Sequence, residues 1–482
     1  MTVRKCNLLV GTWQAIFSWQ GVYYTRLRLR LRQKLRPSLC SFTRFPEDLS
    51  LTKNSTDQVS PSVRIEKLVP GGSGLGHLDD GVVFVPLTAP GDLISLKDIR
   101  RRRGVHFAEC DQVVETSLER RDPPCPWFGR CGGCQWMHLN YGSQIRWKED
   151  IFRQALKGIA HLEDKSPIKV HLSPTEFQYR YRARLHIKGP AVGFYRRSSN
   201  RIEVWEQCIQ LPEAINLAVK ELRRNFRDNR PPATLRSCEV ALSPVDGSMT
   251  FNWSFKKDRG NLDAARRVMD GWETVASLSG MNPAGQAAFN DRGEAIAARG
   301  GNLLLEAGDV RMPASPGTFF QINPDINAVL VGRVLTQLGS LGASSLLDLY
   351  CGNGNFSLPA AAAGINSVGV ESSPGAVRDA ASVAGPRSRF IEMDVGRYLS
   401  RDNTEPDAVI VDPPRTGLPG DVVEMLGMRR FPVLIYVSCE PSTLARDLVR
   451  LTGAGYVIKG MELFDMFPQT PHSEAMVILK GS

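Results

Sequence analysis

The chain has 482 residues, 42% of them hydrophobic and 23% charged, a soluble globular composition spread over more residues than one ordinary core holds. Its net charge is +10, which points to an anionic partner, and its ten cysteines are too sparse for a disulfide scaffold, so a reducing, cytoplasmic setting is expected. No run has the length and apolarity of a membrane span; the nearest, Cys6 to Thr25, carries Asn7, Gln14, Ser18 and Gln20, so no membrane partner is expected.

The charge is uneven. Residues 1–46 hold nine Lys or Arg and no acid, residues 61–290 hold 34 basic against 26 acidic residues, and residues 291–482 hold 16 against 21. The polyanion-binding part is therefore expected in the middle of the chain, not in its last third. Residues 1–60 form a basic extension around TRLRLRLRQKLR, Thr25 to Arg36. That composition suits a transit peptide, a nucleic-acid-binding arm or translation from an upstream start, with a poorly ordered tail favoured over all three.

From Val63, short β-favouring runs alternate with Gly, Pro and Asp79-Asp80-Gly81 turn signals, a pattern expected of a small all-β barrel over residues 61–119. This stretch resembles a TRAM domain, a small RNA-binding barrel of RNA-modifying enzymes. The resemblance makes Arg100 to Arg103 phosphate contacts; a solvated basic turn fits them equally.

Next come Cys125, Cys131 and Cys134, spaced C-x5-C-x2-C, with Cys208 the best of the remaining cysteines for a fourth ligand. Four thiolates suit zinc or an iron–sulfur cluster, and spacing alone does not choose. The spacing is not the C-x3-C-x2-C of enzymes that cleave S-adenosylmethionine to a radical. It resembles the site of the ribosomal branch of the uracil-C5 RNA methyltransferases, which implies a 4Fe-4S cluster on these four cysteines within a central α+β part, residues 120–310. In the same part, Tyr179 to Arg184 alternate aromatic and basic side chains at strand period, so one face of a strand is expected to present arginines to phosphates, with Arg196 and Arg197 extending it.

Residues 345–363 read as strand, glycine-rich turn, helix, with Gly352 and Gly354 letting the backbone approach a ligand. A second strand ends at Glu371, 19 residues past Gly352, where a carboxylate commonly grips ribose hydroxyls; a third ends near Asp394, suited to an adenine edge; a fourth ends at Asp412 in DPPRTG. The run VLIYVS stops at Cys439 and is followed by Pro441 and a helical pattern, which sets a thiol at the mouth of an open α/β sheet.

DLYCGNGNFSL, VDPPRTG, SCEPSTLARD and PHSEAM together resemble the methyltransferase domain of the uracil-C5 RNA family, and the resemblance spans residues 61–482. It implies a Rossmann-like α/β domain over residues 311–482 that binds S-adenosylmethionine through Gln321 of GTFFQIN, Tyr350, Gly352, Asn355, Glu371, Asp394 and Asp412. It implies Cys439 as nucleophile on uracil C6 and Glu474 as the base that removes the C5 proton. One departure stands out, Glu440 where the family usually has Asn, a carboxylate that either raises the thiol pKa or points away. The expected substrate is an unpaired uridine of RNA, 23S ribosomal RNA first, and a monomer is expected. Alternatives are a tRNA-directed enzyme of the same chemistry, an RNA-binding relative without activity, and methyl transfer to nitrogen, which needs neither Cys439 nor Glu474.

Overall fold

The computed structural model describes residues 61–162, 167–256, 261–279 and 281–481, so the basic extension lies outside the described residues. The described residues begin with a six-stranded sheet, in the order Ser62–Arg64, Leu93–Arg102, Val105–Glu115, Gly81–Val85, Gly74–Leu78, Lys67–Leu68. Alternating side chains put Val63, Ile65, Val83, Val85, Ile94 and Leu96 into its core. A seven-stranded sheet follows, running Ile202–Glu203, Ala191–Tyr195, Arg182–Lys188, Leu235–Leu242, Met249–Phe255, Pro283–Phe289, Ala295–Gly300. The helices Glu213–Asp228 and Asn261–Leu278 pack on it over Trp205, Phe251, Trp253 and Trp272.

The last third is built on an eight-stranded sheet in the order Ser388–Glu392, Asn366–Glu371, Ser345–Leu349, Ala408–Val411, Val433–Ser438, Glu474–Gly481, Tyr456–Phe464, Lys169–His171. Its first five strands are parallel, and Glu474–Gly481 runs antiparallel to both neighbours. All six residues of Val433–Ser438 are buried, as expected of a central strand covered on both faces. One face packs against Leu444, Leu448 and Leu451 of the helix Pro441–Gly453, the other against Leu330, Val334 and Leu338 of Pro324–Ser340.

Two pieces of this body come from the stretch that the sequence pattern assigns to the central part. The helix Tyr141–Ala160, capped by Asn140, lays Phe152, Ala155 and Leu156 into the same core as Leu444 and Leu448. The strand Lys169–His171 pairs in parallel with Glu462 to Phe464 and covers that edge. Its three residues are too short for a periodic signal, which is why the pattern does not announce it. No described helix is long and apolar enough to cross a membrane.

Candidate active site

Parallel strands present their C-terminal ends on one edge, and the residues singled out by sequence collect there. Tyr350 follows Leu349, Glu371 closes its strand, Asp412 follows Val411 and Cys439 follows Ser438. Glu474 opens an antiparallel strand, so its start lies on the same edge. The strand order reverses direction between Ser345–Leu349, which leads to Asn366–Glu371 on one side, and Ala408–Val411, which leads to Val433–Ser438 on the other, the switch point where such sheets open a crevice. A cavity of about 710 Å³ occupies it, lined among others by Gln321, Tyr350, Gly352, Asn355, Glu371, Asp412, Arg415, Cys439 and Glu474.

The nucleotide-like half of the cavity is shaped by backbone. Gly352 and Gly354 take φ of 56° and 91°, and a Cβ on Gly354 would come within 2.7 Å of Leu358, so no larger residue fits. Gly352 N–H donates to Glu371 Oε2 at 3.3 Å, while Ser373 N–H donates to Oε1 at 2.8 Å, fixing the carboxylate above the turn. Asn355 and Asn327 exchange amide hydrogen bonds of 2.8 and 3.0 Å. Gln321 is brought in by an irregular segment pinned through Asp379, which accepts from Ser315 N–H at 2.7 Å and Thr318 Oγ1 at 2.8 Å. Asp394 is not among the residues lining the cavity: its Oδ1 accepts from Arg397 N–H at 3.0 Å and caps the helix Val395–Leu399. Its charge is still felt by Tyr350, whose hydroxyl is pushed up by burial first and by Asp394 second.

The other half is acid–base chemistry. In the antiparallel register Ser438 stands opposite Ala475, so the next pair outward is Cys439 with Glu474. Burial, then the Glu474 charge, pushes the Cys439 thiol up to about 12, while Arg415, near enough to hydrogen-bond it, acts in the opposite direction. Glu474 is 2% exposed, and burial followed by Asp412 holds its carboxyl well above the usual range, again against Arg415. Asp412 is raised to about 7 by burial and by Asp348, and Asp348 is itself raised to about 7 by burial although Ser357 N–H and Oγ donate to it at 3.1 and 2.6 Å. Arg415 thus acts on both groups against their burial, favouring the thiolate and the carboxylate alike. A thiol and a carboxyl on facing strand ends can deliver a nucleophile and take up a proton at the same ligand.

Glu440 does not join them. Its Oε1 accepts from Ser442 Oγ at 2.8 Å on the following helix. Arg415, which the DPPRTG pattern alone does not single out, is the cation that acts on both Cys439 and Glu474. Phe319, 60% exposed with Arg182 stacked 4.5 Å from its ring centre, was not singled out either; a lone aromatic in an irregular segment carries no periodic signal.

The four cysteines line a second cavity of about 1040 Å³ together with Arg180, Arg184, Arg196 and Arg197. Burial raises the Cys134 thiol, and charge on Cys208, Cys131 and Cys125 raises it further, which places the four sulfurs within electrostatic reach of one another. Gly133 N–H donates to Cys131 Sγ at 3.4 Å. Among the described residues no three His, Cys, Asp or Glu are set to hold a metal ion. The alternation at Tyr179 to Arg184 does not make a strand face of three arginines, because the strand begins only at Arg182. Arg180 stands in the wall shared by the two cavities, and Tyr179 is buried with its hydroxyl donating to Pro468 O at 2.9 Å.

The fold is that of a solved relative. The Pyrococcus abyssi tRNA (uracil-54, C5)-methyltransferase, crystallised with S-adenosyl-L-homocysteine, superposes with a TM-score of 0.67 at 24% identity, covering 86% of this chain and 100% of that one. The last third of the chain, with the thiol and carboxyl at the mouth of its sheet, thus has a Rossmann-like fold. Residues 388–482 match the family model for tRNA (uracil-5-)-methyltransferase. A Thermotoga maritima protein named as an uncharacterized RNA methyltransferase is 32% identical over 442 residues, 87% of this chain and 99% of its own. The 23S rRNA (uracil(1939)-C(5))-methyltransferase RlmD of Bordetella parapertussis is 30% identical over 446 residues, 87% and 93% of the two chains. The chain belongs to the family of S-adenosylmethionine-dependent RNA uracil-C5 methyltransferases.

Proposed function

We propose that the chain methylates C5 of an unpaired uridine in 23S ribosomal RNA through a covalent adduct on Cys439, with Glu474 as the base. The observation that carries this reading is the pairing of Cys439 and Glu474 at the mouth of one cavity with the glycine turn. Uracil C5 is too weak a nucleophile to take a methyl group unaided. Addition of Cys439 Sγ to C6 moves the electron pair of the 5,6 double bond toward C5. S-adenosylmethionine, when bound, supplies the electrophilic methyl group. Glu474 then takes the C5 proton, the C6–S bond breaks, the double bond is restored and the thiolate is regenerated. Arg415 stabilises the thiolate at the start and the carboxylate before proton uptake.

Gln321, Tyr350, Gly352, Asn355, Glu371 and Asp412 hold the cofactor, with Asp394 acting from behind Tyr350. The target base is flipped out to reach a cavity of this depth, and the sheet of residues 61–119 supplies a TRAM-like RNA-binding face. Cys125, Cys131, Cys134 and Cys208 hold a 4Fe-4S cluster. Four thiols on one cavity, one with a backbone amide on its sulfur, suit a multi-iron cluster, whose ligands stand farther apart than those around a single ion. The protein acts as a cytoplasmic monomer.

The test is transfer of labelled methyl to RNA lacking 5-methyluridine, fractionated into ribosomal and transfer species and read by nucleoside mass spectrometry. Label in 23S RNA, lost in Cys439→Ala, is the expected result. Label confined to transfer RNA replaces the substrate, as the family model matching residues 388–482 would favour. No label from protein with its cysteine site loaded leaves an RNA-binding relative without activity.

A further inference from the structure

Glu474 is delivered by the loop of residues 465–473, and this loop is buried. Asp465, Met466, Gln469, Thr470 and Ser473 are each 5% exposed or less. A buried loop must find partners for its polar backbone. Beside two bonds to the strand ends at His171 and Phe464, they come from the earlier part of the chain. Tyr141 donates to Asp465 Oδ2 at 2.7 Å, Lys148 pairs with the same carboxylate and donates to Phe467 O at 3.0 Å, and Tyr179 donates to Pro468 O.

Gln469 is the centre of this attachment. It is fully buried and holds φ of 68°, a left-handed conformation that a side chain rarely adopts unless its surroundings impose it. Each of its polar atoms is engaged. Its N–H donates to Gln144 Oε1 at 2.9 Å, and its carbonyl accepts from Gln135 and Trp136 N–H at 3.1 and 3.0 Å. Its Oε1 accepts from Gln144 Nε2 and Arg121 Nη2, each at 2.9 Å, and its Nε2 donates to Glu176 Oε2 at 3.1 Å. Gln135 directly follows Cys134, so one residue ties the cysteine-bearing loop and the helix Tyr141–Ala160 to the segment that ends in Glu474.

We propose that Gln469 is a positioning residue for Glu474, fixing the carboxyl where it meets the C5 proton, so that its loss slows collapse of the Cys439 adduct and leaves adduct formation intact. The inference rests on the carbon-methylation reading above. Formation needs Cys439, which stands between the strand Val433–Ser438 and the helix Pro441–Gly453, and none of the hydrogen-bond partners of Gln469 named above belongs to either. Collapse needs Glu474, whose approach is set by the loop.

The test compares full-length wild type, Gln469→Gly, which permits the same φ, and Gln144→Ala, which removes the facing partner. Turnover is read as 5-methyluridine formed. Adduct formation is read as a denaturation-resistant complex with RNA carrying 5-fluorouridine, which has no C5 proton to lose. The expected result is a fall in turnover of about tenfold or more, with an adduct now accumulating on ordinary uridine RNA and an unchanged rate of adduct formation on the fluorinated RNA. A merely structural role would lower both rates together with the melting temperature, and that outcome overturns the proposal, as does unchanged turnover in both variants. If Gln469→Gly does not fold, Gln144→Ala decides by the same two rates. A wild-type protein that forms no adduct on fluorinated RNA overturns the carbon-methylation reading itself, and this inference with it.

Discussion

Cys439 and Glu474 are the first residues beyond the last register pair, Ser438 with Ala475, of two antiparallel strands. Thiol and carboxyl are therefore set by backbone hydrogen bonding, 35 residues apart in the chain yet side by side at the end of the ladder. Glu474→Gln leaves that ladder in place and removes only the proton acceptor. Turnover is expected to fall by about 10²–10⁴-fold, with a methylated covalent complex accumulating. A denaturing gel after reaction with labelled cofactor and RNA reads it; the absence of trapped complex would remove Glu474 from the base role.

Arg415 opposes every influence that keeps the Cys439 thiol protonated. Arg415→Ala should shift the pH dependence of thiol alkylation upward from about 12 and cut turnover, while Arg415→Lys restores part of both. Alkylation rates measured as a function of pH check it, and an unmoved profile would detach Arg415 from the thiol.

Glu440 is engaged by Ser442 and turned from the thiol. Replacing it with the asparagine more usual in the family, Glu440→Asn, is expected to change turnover by less than about threefold, since its carboxylate bonds Ser442 and is not among the charges that act on the Cys439 thiol. A larger change in kcat would show that the carboxylate acts on the reaction.

Asp348 is raised to about 7 by burial, above the value it has in the unfolded chain. A raised carboxyl favours the folded state while it is protonated, so that contribution is present below the unfolded pKa of about 4 and is lost as pH rises through about 7. Asp348→Asn keeps an oxygen for Ser357 and carries no charge. Its melting temperature should fall less steeply than that of the wild type between pH about 4 and about 7, Asp412 and Glu474 supplying the remaining slope; parallel curves would refute the assignment.

Cys134→Ser and Cys208→Ser should each lower iron and acid-labile sulfide per chain, measured on anaerobically purified protein. Full metal content in both variants would exclude these residues as ligands.

The strand ends were legible because a parallel sheet writes them twice, as an apolar run and as the chemical residue that stops it. Val433–Ser438 followed by Cys439 and Asn366–Glu371 are of this kind. What was not legible depends on contacts between distant parts of the chain. Nothing near Gln469 signals that its amide meets Arg121 and Gln144, and nothing near Lys169 signals that three residues complete a sheet whose other strands begin at Ser345. Asp394, behind the cavity as the cap of Val395–Leu399, poses a related ambiguity. An acid at a strand end has two uses, toward a ligand or as a helix cap, and local sequence does not separate them.

The edge strand Lys169–His171 sets an order on biosynthesis. His171 pairs with Glu462, which leaves the ribosome 291 residues later, and Arg333 completes that ion pair through Glu462 Oε1 at 2.6 Å. The early strand and the apolar side of Tyr141–Ala160 thus emerge long before the surface they cover exists, and must be kept soluble until the final hairpin is released. A C-terminal fragment starting at residue 311 would have the opposite problem, a nearly complete catalytic sheet with one bare edge and a face missing its helix. The last hairpin closes contacts that residues 121–176 open.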